Sequence, residues 1–459
     1  MTQENHAESP TSIILVGLML FSMFFGAGNL IFPPQLGAEA GTAYWPAILG
    51  FLTTGVLLPM VAVIAVAVSG TGLGDIAGRV GRVFGRVFTA AVYLSIGALY
   101  AIPRTAGVAF ETGAAGAGAT GAAARLAFTA AFFAVALWLS LCGARVVDVL
   151  GRWLTPALLA LIVVLLLAAL RLPAATPGAP AGDWAQAPYP AGIVQGYLTM
   201  DSLAALVFGI VVVGALRSRG VRGGGPLTRA TIAAGVLAAV LLGAVYLGLG
   251  HLGRILGPGS ANGAELLGAA ANRALGGVGA WIFAGIVLLA CLTTAVGLIT
   301  ATAAWFATLP TALGYRGWAV LFTLVGLLLA NQGLDTIIAL AVPLNVFLHP
   351  IAVALVLITL LQAALPFRLR WSYRAPVAVA AAFAALDLLT ALGADPAGTL
   401  PALAGLPLYR DSLAWLVPTL AAIAVCLVLD GRRREPRPRP GGAAGAAPGD
   451  PAAAPERAG

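Results

Sequence analysis

The sequence predicts an all-α membrane protein with twelve transmembrane helices. Of its 459 residues, 60% are apolar and only 9% are charged, whereas soluble domains carry roughly 25% charged residues, so an ordinary soluble protein is excluded. A hydrocarbon core of about 30 Å needs roughly 20 apolar residues in helical form. The runs that approach this requirement are Ile13–Phe32, Pro46–Val68, Val87–Pro103, Leu126–Ala144, Trp153–Leu170, Ala191–Leu216, Ala230–Gly250, Val278–Pro310, Trp318–Ala330, Thr336–Leu365, Ala375–Leu392 and Ser412–Leu429.

The distribution of arginine predicts that both termini lie in the cytoplasm. The 25 basic residues are all arginines, and with the N-terminus inside, 19 of them fall in cytoplasmic loops or the C-terminal tail and 5 in external loops. This asymmetry is what the positive-inside rule requires. The net charge of +8 therefore reflects topology, and the long uncharged runs leave no basic face for nucleic acid. The first ten residues contain two acids and no arginine, so the first run is not a cleavable signal.

Two of the runs contain polar or helix-breaking residues where regular helix is expected. In the first run, Gly26, Gly28 and Asn29 lie mid-span and a Pro pair follows; in the sixth, Asp201 lies about ten residues into an apolar stretch. Small residues alone would indicate close helix packing. Spans one and six, however, are the first members of two consecutive sets of five. Paired interruptions at corresponding positions indicate a secondary transporter built from inverted repeats.

This reading divides the chain into two repeats and their flanking segments. An odd number of spans in each repeat inverts the second repeat relative to the first, as such transporters require. The predicted units are a cytoplasmic tail (1–11), the first five-helix repeat (12–171), an external linker (172–190), the second repeat (191–365), two accessory helices (366–430) and a disordered cytoplasmic tail (431–459).

An interrupted helix in the membrane offers binding groups of both signs. Opening the helix exposes N–H groups on one half and carbonyl groups on the other. We expect the amides near Ala27 and Gly28 to bind a carboxylate, and the carbonyls at 22–25 and 198–199 to bind a cation or an ammonium. A zwitterion with an apolar side chain suits this site, because its two charges lie close together.

Several blocks of sequence resemble one known family. They are Phe25–Pro34 (FGAGNLIFPP), Gly37–Gly41 (GAEAG), Ala101–Thr105 (AIPRT), Gly196–Asp201 (GYLTMD) and Ala290–Leu298 (ACLTTAVGL). Together they are similar to the branched-chain amino acid carrier family of bacterial inner-membrane symporters for leucine, isoleucine and valine. The resemblance implies a leucine-transporter-like fold of five plus five inverted helices with two accessory helices. It also implies import coupled to a cation, typically sodium, with no other cofactor and no obligate protein partner.

The resemblance also implies the residues of the site. It places a sodium ion on the carbonyls of Ser22 and Phe25 and on the hydroxyls of Thr293 and Thr294; alternatively, these threonines bond carbonyls of their own helix. A possible second sodium falls at Asn29 and Thr199. The predicted substrate-binding residues are Phe25, Gly26, Ala27, Gly28, Tyr100, Leu198, Thr199 and Asp201.

The charged residues inside the spans leave alternatives open. A charge at the bilayer centre costs several kcal/mol, which makes Asp201 a functional candidate. It could accept the substrate ammonium, bind a cation, carry a proton or pair with Arg104. For Arg104 we expect first a structural or gating ion pair, with Asp201 or Glu111, and second a place near the substrate carboxylate. His349 is expected to be a satisfied polar group, and Asp387 to be peripheral.

Other functional classes fit the sequence less well. The three cysteines lie in apolar runs without metal-ligand spacing. No nucleotide-binding motif is present, which argues against a primary pump. We therefore predict a transporter that imports branched-chain amino acids by cation symport; the alternatives are a proton-coupled transporter of another apolar amino acid and, in a different class, an intramembrane enzyme.

Overall fold

The computed structural model describes residues 10–433 except 71, 115–120, 144, 174–175, 222, 258–261, 400, 407 and 410–412. The predicted N-terminal tail lies outside these residues up to residue 9, and the predicted C-terminal tail lies outside them from residue 434. The described part is helical throughout its spans. Its principal helices are α1 (Pro10–Phe24), α2 (Ala27–Ala40), α3 (44–69), α4 (Arg82–Gly113), α5 (Ala122–Ser140), α6 (Arg145–Ala169), α7 (Pro188–Tyr197), α8 (Asp201–Ser218), α9 (Gly225–Leu256), α10 (Gly263–Leu275), α11 (Gly277–Phe306), α12 (Tyr315–Ala330), α13 (Leu334–Ala364), α14 (Trp371–Ala391) and α15 (Leu416–Arg433).

The helices have the length and composition of membrane spans. Among the described residues, nine helical stretches are long and apolar enough to cross a bilayer, including the continuous stretch Ala27–Ser69. Two more, α1 and α12, are apolar but shorter. Helix α15 carries Asp430, Arg432 and Arg433 in its last turn. An all-helical membrane protein is thus observed, while the number twelve stays a prediction.

Two spans are interrupted halfway. Between α1 and α2, Phe25 and Gly26 leave the helical conformation, and Gly26 is extended (φ −113°, ψ −161°). Between α7 and α8, residues 198–200 form a turn in which Met200 adopts the left-handed conformation (φ 64°). A left-handed methionine is sterically unfavourable, so the surrounding packing must hold it there.

Several spans contain wider, π-type turns. They occur at Thr53–Leu57, Ser95–Leu99, Ala109–Ala114 and Val149–Leu154, and each adds a residue to a turn of the helix. Such a turn rotates the side chains that follow it relative to those before it. A face inferred from 3.6-residue periodicity is therefore not continuous across these four positions.

Glycine allows three helices to meet at backbone contact. A Cβ atom placed on Gly37 would lie 1.9 Å from the carbonyl oxygen of Gly250, one on Gly253 1.9 Å from that of Pro34, and one on Gly263 1.9 Å from that of Ile31. No side chain fits at any of these positions. Helix α2 therefore packs directly on α9 and α10, which fixes the second half of the first span.

Two segments outside the long spans pack against the rest of the protein. Helix α10 starts from an Asn262 cap, whose Oδ1 accepts the Glu265 N–H at 3.0 Å, and one of its faces is buried. The predicted linker 172–190 contains a short helix, Asp183–Gln186, whose Trp184 is buried and donates to Glu39 at 3.0 Å. The proline and alanine content of the linker gave no sign of this contact.

Candidate functional site

The two interruptions face one cavity. It has a volume of about 40 Å³ and lies between α1, α2, α4, α7, α8 and α11. Most of its wall is apolar, and its polar groups converge from both interrupted spans. The lining residues are Met23, Phe24, Gly26, Ala27, Gly28, Asn29, Ile96, Tyr100, Ala101, Arg104, Thr105, Thr199, Met200, Asp201, Ala204, Phe208, Thr294 and Leu298.

A buried hydrogen-bond network joins the two interruptions. The Nδ2 group of Asn29 donates to Asp201 Oδ2 at 2.6 Å and also to the hydroxyl of Tyr246, and that hydroxyl donates to the same carboxylate oxygen at 3.1 Å. The Asn29 Oδ1 atom accepts the backbone N–H of Gly26 at 3.3 Å. Asn29 thereby holds the open link of the first span against the start of α8.

The hydrogen bonds that Asp201 accepts from Asn29 and Tyr246 both end on Oδ2. Thr199 is a further polar neighbour of the carboxylate. The backbone N–H of Asp201 donates to Thr199 Oγ1 at 3.4 Å, and Asp201 occupies the first turn of α8, where a negative charge is favourable. One oxygen thus anchors the residue, and the carboxylate can accept a proton donor or a cation from the cavity that it lines.

Sequence reasoning missed Tyr246. It lies in α9, fully buried, with its ring 6.3 Å from that of Phe25 and 5.3 Å from that of Phe51. A tyrosine within a long apolar run gives no pattern that points to a site. Burying a hydroxyl without a hydrogen-bond partner costs free energy. A tyrosine in an apolar span is therefore expected to have a polar neighbour at the same depth, and this argument could have identified Tyr246.

Three of the four predicted sodium residues, Ser22, Thr293 and Thr294, lie at the contact between α1 and α11. Thr293 Oγ1 donates to the carbonyl oxygen of Ser22 at 2.8 Å, and Thr294 Oγ1 to that of Met23 at 3.1 Å. Thr293 Oγ1 also lies 3.1 Å from the carbonyl oxygen of Ala290 in its own helix, as the alternative interpretation expects, and sodium binding stays a prediction. A Cβ on Gly26 would lie 2.9 Å from Thr294 Oγ1, which explains the glycine.

Arg104 lies at the cavity, and its predicted ion pairs are not formed. Its Nη1 donates to the Tyr100 hydroxyl at 2.8 Å, and a Cβ on Gly28 would lie 3.2 Å from its Nη2. Glu111 pairs instead with Arg125 on α5 at 3.5 Å, and Asp201 is beyond ion-pair distance of Arg104. Glu111 lies seven residues beyond Arg104, inside a π-type turn that changes its direction.

The structure separates the predicted substrate-binding residues into two groups. Gly26, Ala27, Gly28, Tyr100, Thr199 and Asp201 line the cavity. Phe25 is fully buried, with its ring stacked on that of Phe21 at 5.5 Å. Leu198 lines a different cavity of about 130 Å³ that also contains His349 and Asp387.

His349 is a satisfied polar group in this structure. Its Nε2 atom lies 2.6 Å from Ser202 Oγ, and its ring packs 4.8 Å from that of Tyr197. The contact joins α13 to the first turn of α8, next to Asp201. His349 therefore supports the second interruption from outside the central cavity.

Comparison with known proteins gives consistent results. Residues 9–433 match the family described as "Branched-chain amino acid transport protein". A branched-chain amino acid permease of Corynebacterium glutamicum is 45% identical over 426 residues, covering 93% of this chain and 97% of that protein. The branched-chain amino acid transport system 2 carrier protein of Pseudomonas aeruginosa is 42% identical over 432 residues, and the permease of Escherichia coli K12 is 36% identical over 435 residues, each covering 93% of this chain and 97% of the relative.

Solved structures show the same fold at low sequence identity. The transporter Mhp1 of the nucleobase-cation-symport-1 family, in a closed conformation with bromovinylhydantoin bound, has a TM-score of 0.58 at 16% identity and covers 91% of this chain. Its inward-facing form has a TM-score of 0.54. These matches support the leucine-transporter-like fold class and carry no information about the substrate of this chain.

Proposed function

Because the chain belongs to the branched-chain amino acid transport family, we propose that it imports leucine, isoleucine or valine by cation symport, with sodium as the coupling ion. The family consists of transport proteins rather than enzymes. We place the protein in the bacterial inner membrane with both termini in the cytoplasm. Its twelve spans would form two inverted five-helix repeats and two accessory helices.

The observation that carries this proposal is that groups of both charges line one small cavity. The N-terminal amides of α2, at Ala27 and Gly28, and the guanidinium group of Arg104 beside Gly28 are suited to bind a carboxylate. The carboxylate of Asp201 lines the same cavity and is suited to bind an ammonium. A free amino acid presents both groups.

The rest of the wall suits an apolar side chain. Phe24, Phe208 and Leu298 line the cavity together with Ile96 and Met200. A buried polar side chain would leave hydrogen bonds unmade against this wall, which costs free energy. We therefore assign the branched side chain to this surface, in agreement with the substrates named for the relatives.

Sodium would bind where α1 meets α11. The ligands that we propose are the carbonyls of Ser22 and Phe25 and the hydroxyls of Thr293 and Thr294, and hard oxygen ligands suit sodium. The Ser22 carbonyl already accepts the Thr293 hydroxyl at 2.8 Å, so the ion would enter an existing contact. Asn29 and Thr199 are candidates for a second sodium; Asn29 now bonds Asp201 and Tyr246.

Coupling follows from shared elements. The open link of the first span contributes carbonyls to the ion and amides to the substrate, so each ligand favours the conformation that the other requires. Alternating access would then rock spans one, two, six and seven against spans three, four, eight and nine. The first group contains α1 and α8, and the second contains α4 and α11.

A proton is the alternative coupling ion. Asp201 is only 3% exposed and has no basic group within ion-pair distance among the described residues. A buried carboxylate without a cation is stabilised by protonation. Under this alternative, uptake would follow the pH gradient and would not need sodium.

The deciding experiment is uptake into proteoliposomes. We expect labelled leucine, isoleucine and valine to accumulate under an inward sodium gradient and not in choline buffer at the same pH. Accumulation driven by a pH gradient in choline would establish the proton alternative, and equal uptake without any gradient would exclude symport.

A paired substitution tests the sodium residues. Thr294→Ala removes an oxygen at the contact with Met23, and we expect a rise in the sodium concentration that gives half-maximal uptake. Thr302→Ala is the matched control, since it lies in the same helix and its hydroxyl has no partner in the described structure. An unchanged sodium response in the Thr294 variant would remove that residue from the site.

A further inference from the structure

A basic cavity opens away from the transport site, on the face that the topology assigns to the cytoplasm. Its volume is about 880 Å³, and five arginines contribute to its wall. They come from three separate parts of the chain: the segment after α3, the end of α8, and the connection from α13 into α14. These arginines are Arg79, Arg217, Arg368, Arg370 and Arg374.

The described wall of this cavity contains no Asp or Glu. Like charges that converge without a counter-charge repel one another, and this repulsion is relieved by a bound anion. Asp430 lies next to Arg368 and Arg370 and is not part of this wall. Its carboxylate is 3% exposed and accepts the backbone N–H groups of Arg370, Trp371 and Ser372 at 3.0–3.1 Å.

Buried polar groups fix part of this cavity wall. The amide of Gln362 donates to the carbonyl oxygen of Phe367 at 2.9 Å and accepts the N–H of Leu369 at 2.8 Å, which holds the backbone of the loop that carries Arg368. The guanidinium group of Arg79 donates to the hydroxyl of the buried Tyr373 at 2.7 Å. One guanidinium group and one arginine-bearing loop are therefore held in place, whereas arginines that only signal topology need no fixed geometry.

We propose that this cavity binds a phosphorylated anion. Guanidinium groups recognise phosphate oxygens through paired hydrogen bonds, and a basic pocket between helices at the cytoplasmic side suits the head group of an anionic phospholipid. Trp371 is 42% exposed beside the cavity and is a residue type that favours the membrane interface. A soluble phosphorylated compound offers the same chemistry from the cytoplasm.

The position gives the site a regulatory role. The wall joins the ends of α3, α8 and α9 to the connection before α14. In the proposed transport cycle α3, α8 and α9 belong to the spans that move, whereas α14 is an accessory helix outside the two repeats. An anion that bridges the two groups favours the conformation in which they are close.

The test compares two triple variants of the purified protein. One replaces three cavity arginines with glutamine (Arg79, Arg368 and Arg374). The control replaces three exposed arginines outside the cavity, on the same predicted side (Arg145, Arg152 and Arg316), and so removes the same charge. The thermal unfolding midpoint in neutral detergent is titrated with phosphatidylglycerol, phosphatidylcholine and inorganic pyrophosphate.

We expect phosphatidylglycerol to stabilise the wild-type protein and the control, and phosphatidylcholine to have no effect. Loss of three guanidinium groups should weaken this binding on the order of 100-fold. Stabilisation by pyrophosphate, lost in the cavity variant alone, would identify a soluble anion as the ligand; stabilisation by phosphatidylglycerol alone would identify the lipid.

Two results would overturn the proposal. One is the absence of stabilisation by both anions, and the other is an equal loss in the two triple variants, which would indicate a general surface charge effect. Single Arg368→Gln and Arg374→Gln variants, which disturb the fold less, should each lose part of the effect. Because the measurement is binding, its outcome is independent of whether the protein proves to be a sodium symporter.

Discussion

Removing the hydroxyl of Tyr246 tests the network that joins the two interrupted spans. Phenylalanine keeps the ring, which packs against Phe25 and Phe51, so the change is confined to one oxygen atom. That oxygen donates to Asp201 at 3.1 Å and accepts from Asn29. Tyr246→Phe therefore leaves both polar partners short of a hydrogen bond.

The expected loss can be estimated from these two bonds. A hydrogen bond to a charged group contributes about 1.5–3 kcal/mol, and an interhelical hydrogen bond in a membrane protein contributes about 0.6 kcal/mol on average. The sum is about 2.1–3.6 kcal/mol, which corresponds to a decrease of about 30- to 400-fold in the equilibrium that the network supports. We expect kcat/KM for leucine uptake to fall by this factor.

The assay is initial uptake into proteoliposomes at several leucine and sodium concentrations, with the amount of folded protein measured separately. Tyr93→Phe is the control, because Tyr93 is also buried but has no hydrogen bond through its hydroxyl among the described residues. Uptake by Tyr246→Phe within about threefold of wild type would refute the reasoning. An equal loss in the Tyr93 variant would show a general effect of removing a buried hydroxyl.

Two further pairs of substitutions test the site. The single changes Asn29→Asp and Asp201→Asn should each abolish uptake. The double exchange should restore part of it, because one amide and one carboxylate stay in contact; no recovery would show that the position of each group matters rather than their pairing. Arg104→Gln should raise the KM for leucine at least tenfold by removing a positive charge beside the carboxylate position, and Glu111→Gln should leave uptake near normal; a similar loss in both would support the ion pair that the structure lacks.

The sequence predicted the broad architecture because its signals are local. Gly26 and Gly28 within an apolar run, and Asp201 within another, conflict with continuous helix wherever they occur. The structure places the breaks at Phe25–Gly26 and at 198–200, close to the predicted positions. Composition alone was enough to identify an all-helical membrane protein.

The details that sequence reasoning missed depend on contacts between distant residues. Asn29 and Tyr246 are 217 positions apart, and no spacing rule relates them. The direction of Glu111 depends on a π-type turn, which has no clear sequence signature. Leu198 lies in the turn before Met200, whose left-handed conformation has no sequence signature, and it lines a different cavity.

The glycine contacts of α2 extend the effective site well beyond its ligands. Gly37, Gly253 and Gly263 do not line the cavity, yet they allow α2 to rest on α9 and α10. An alanine at any of them would push α2 sideways and carry the amide of Gly28 with it. A survey of all single substitutions would thus find positions remote from the cavity that tolerate change as poorly as the binding residues. Variants at these positions would lose transport because the binding groups are displaced, although the protein still inserts into the bilayer.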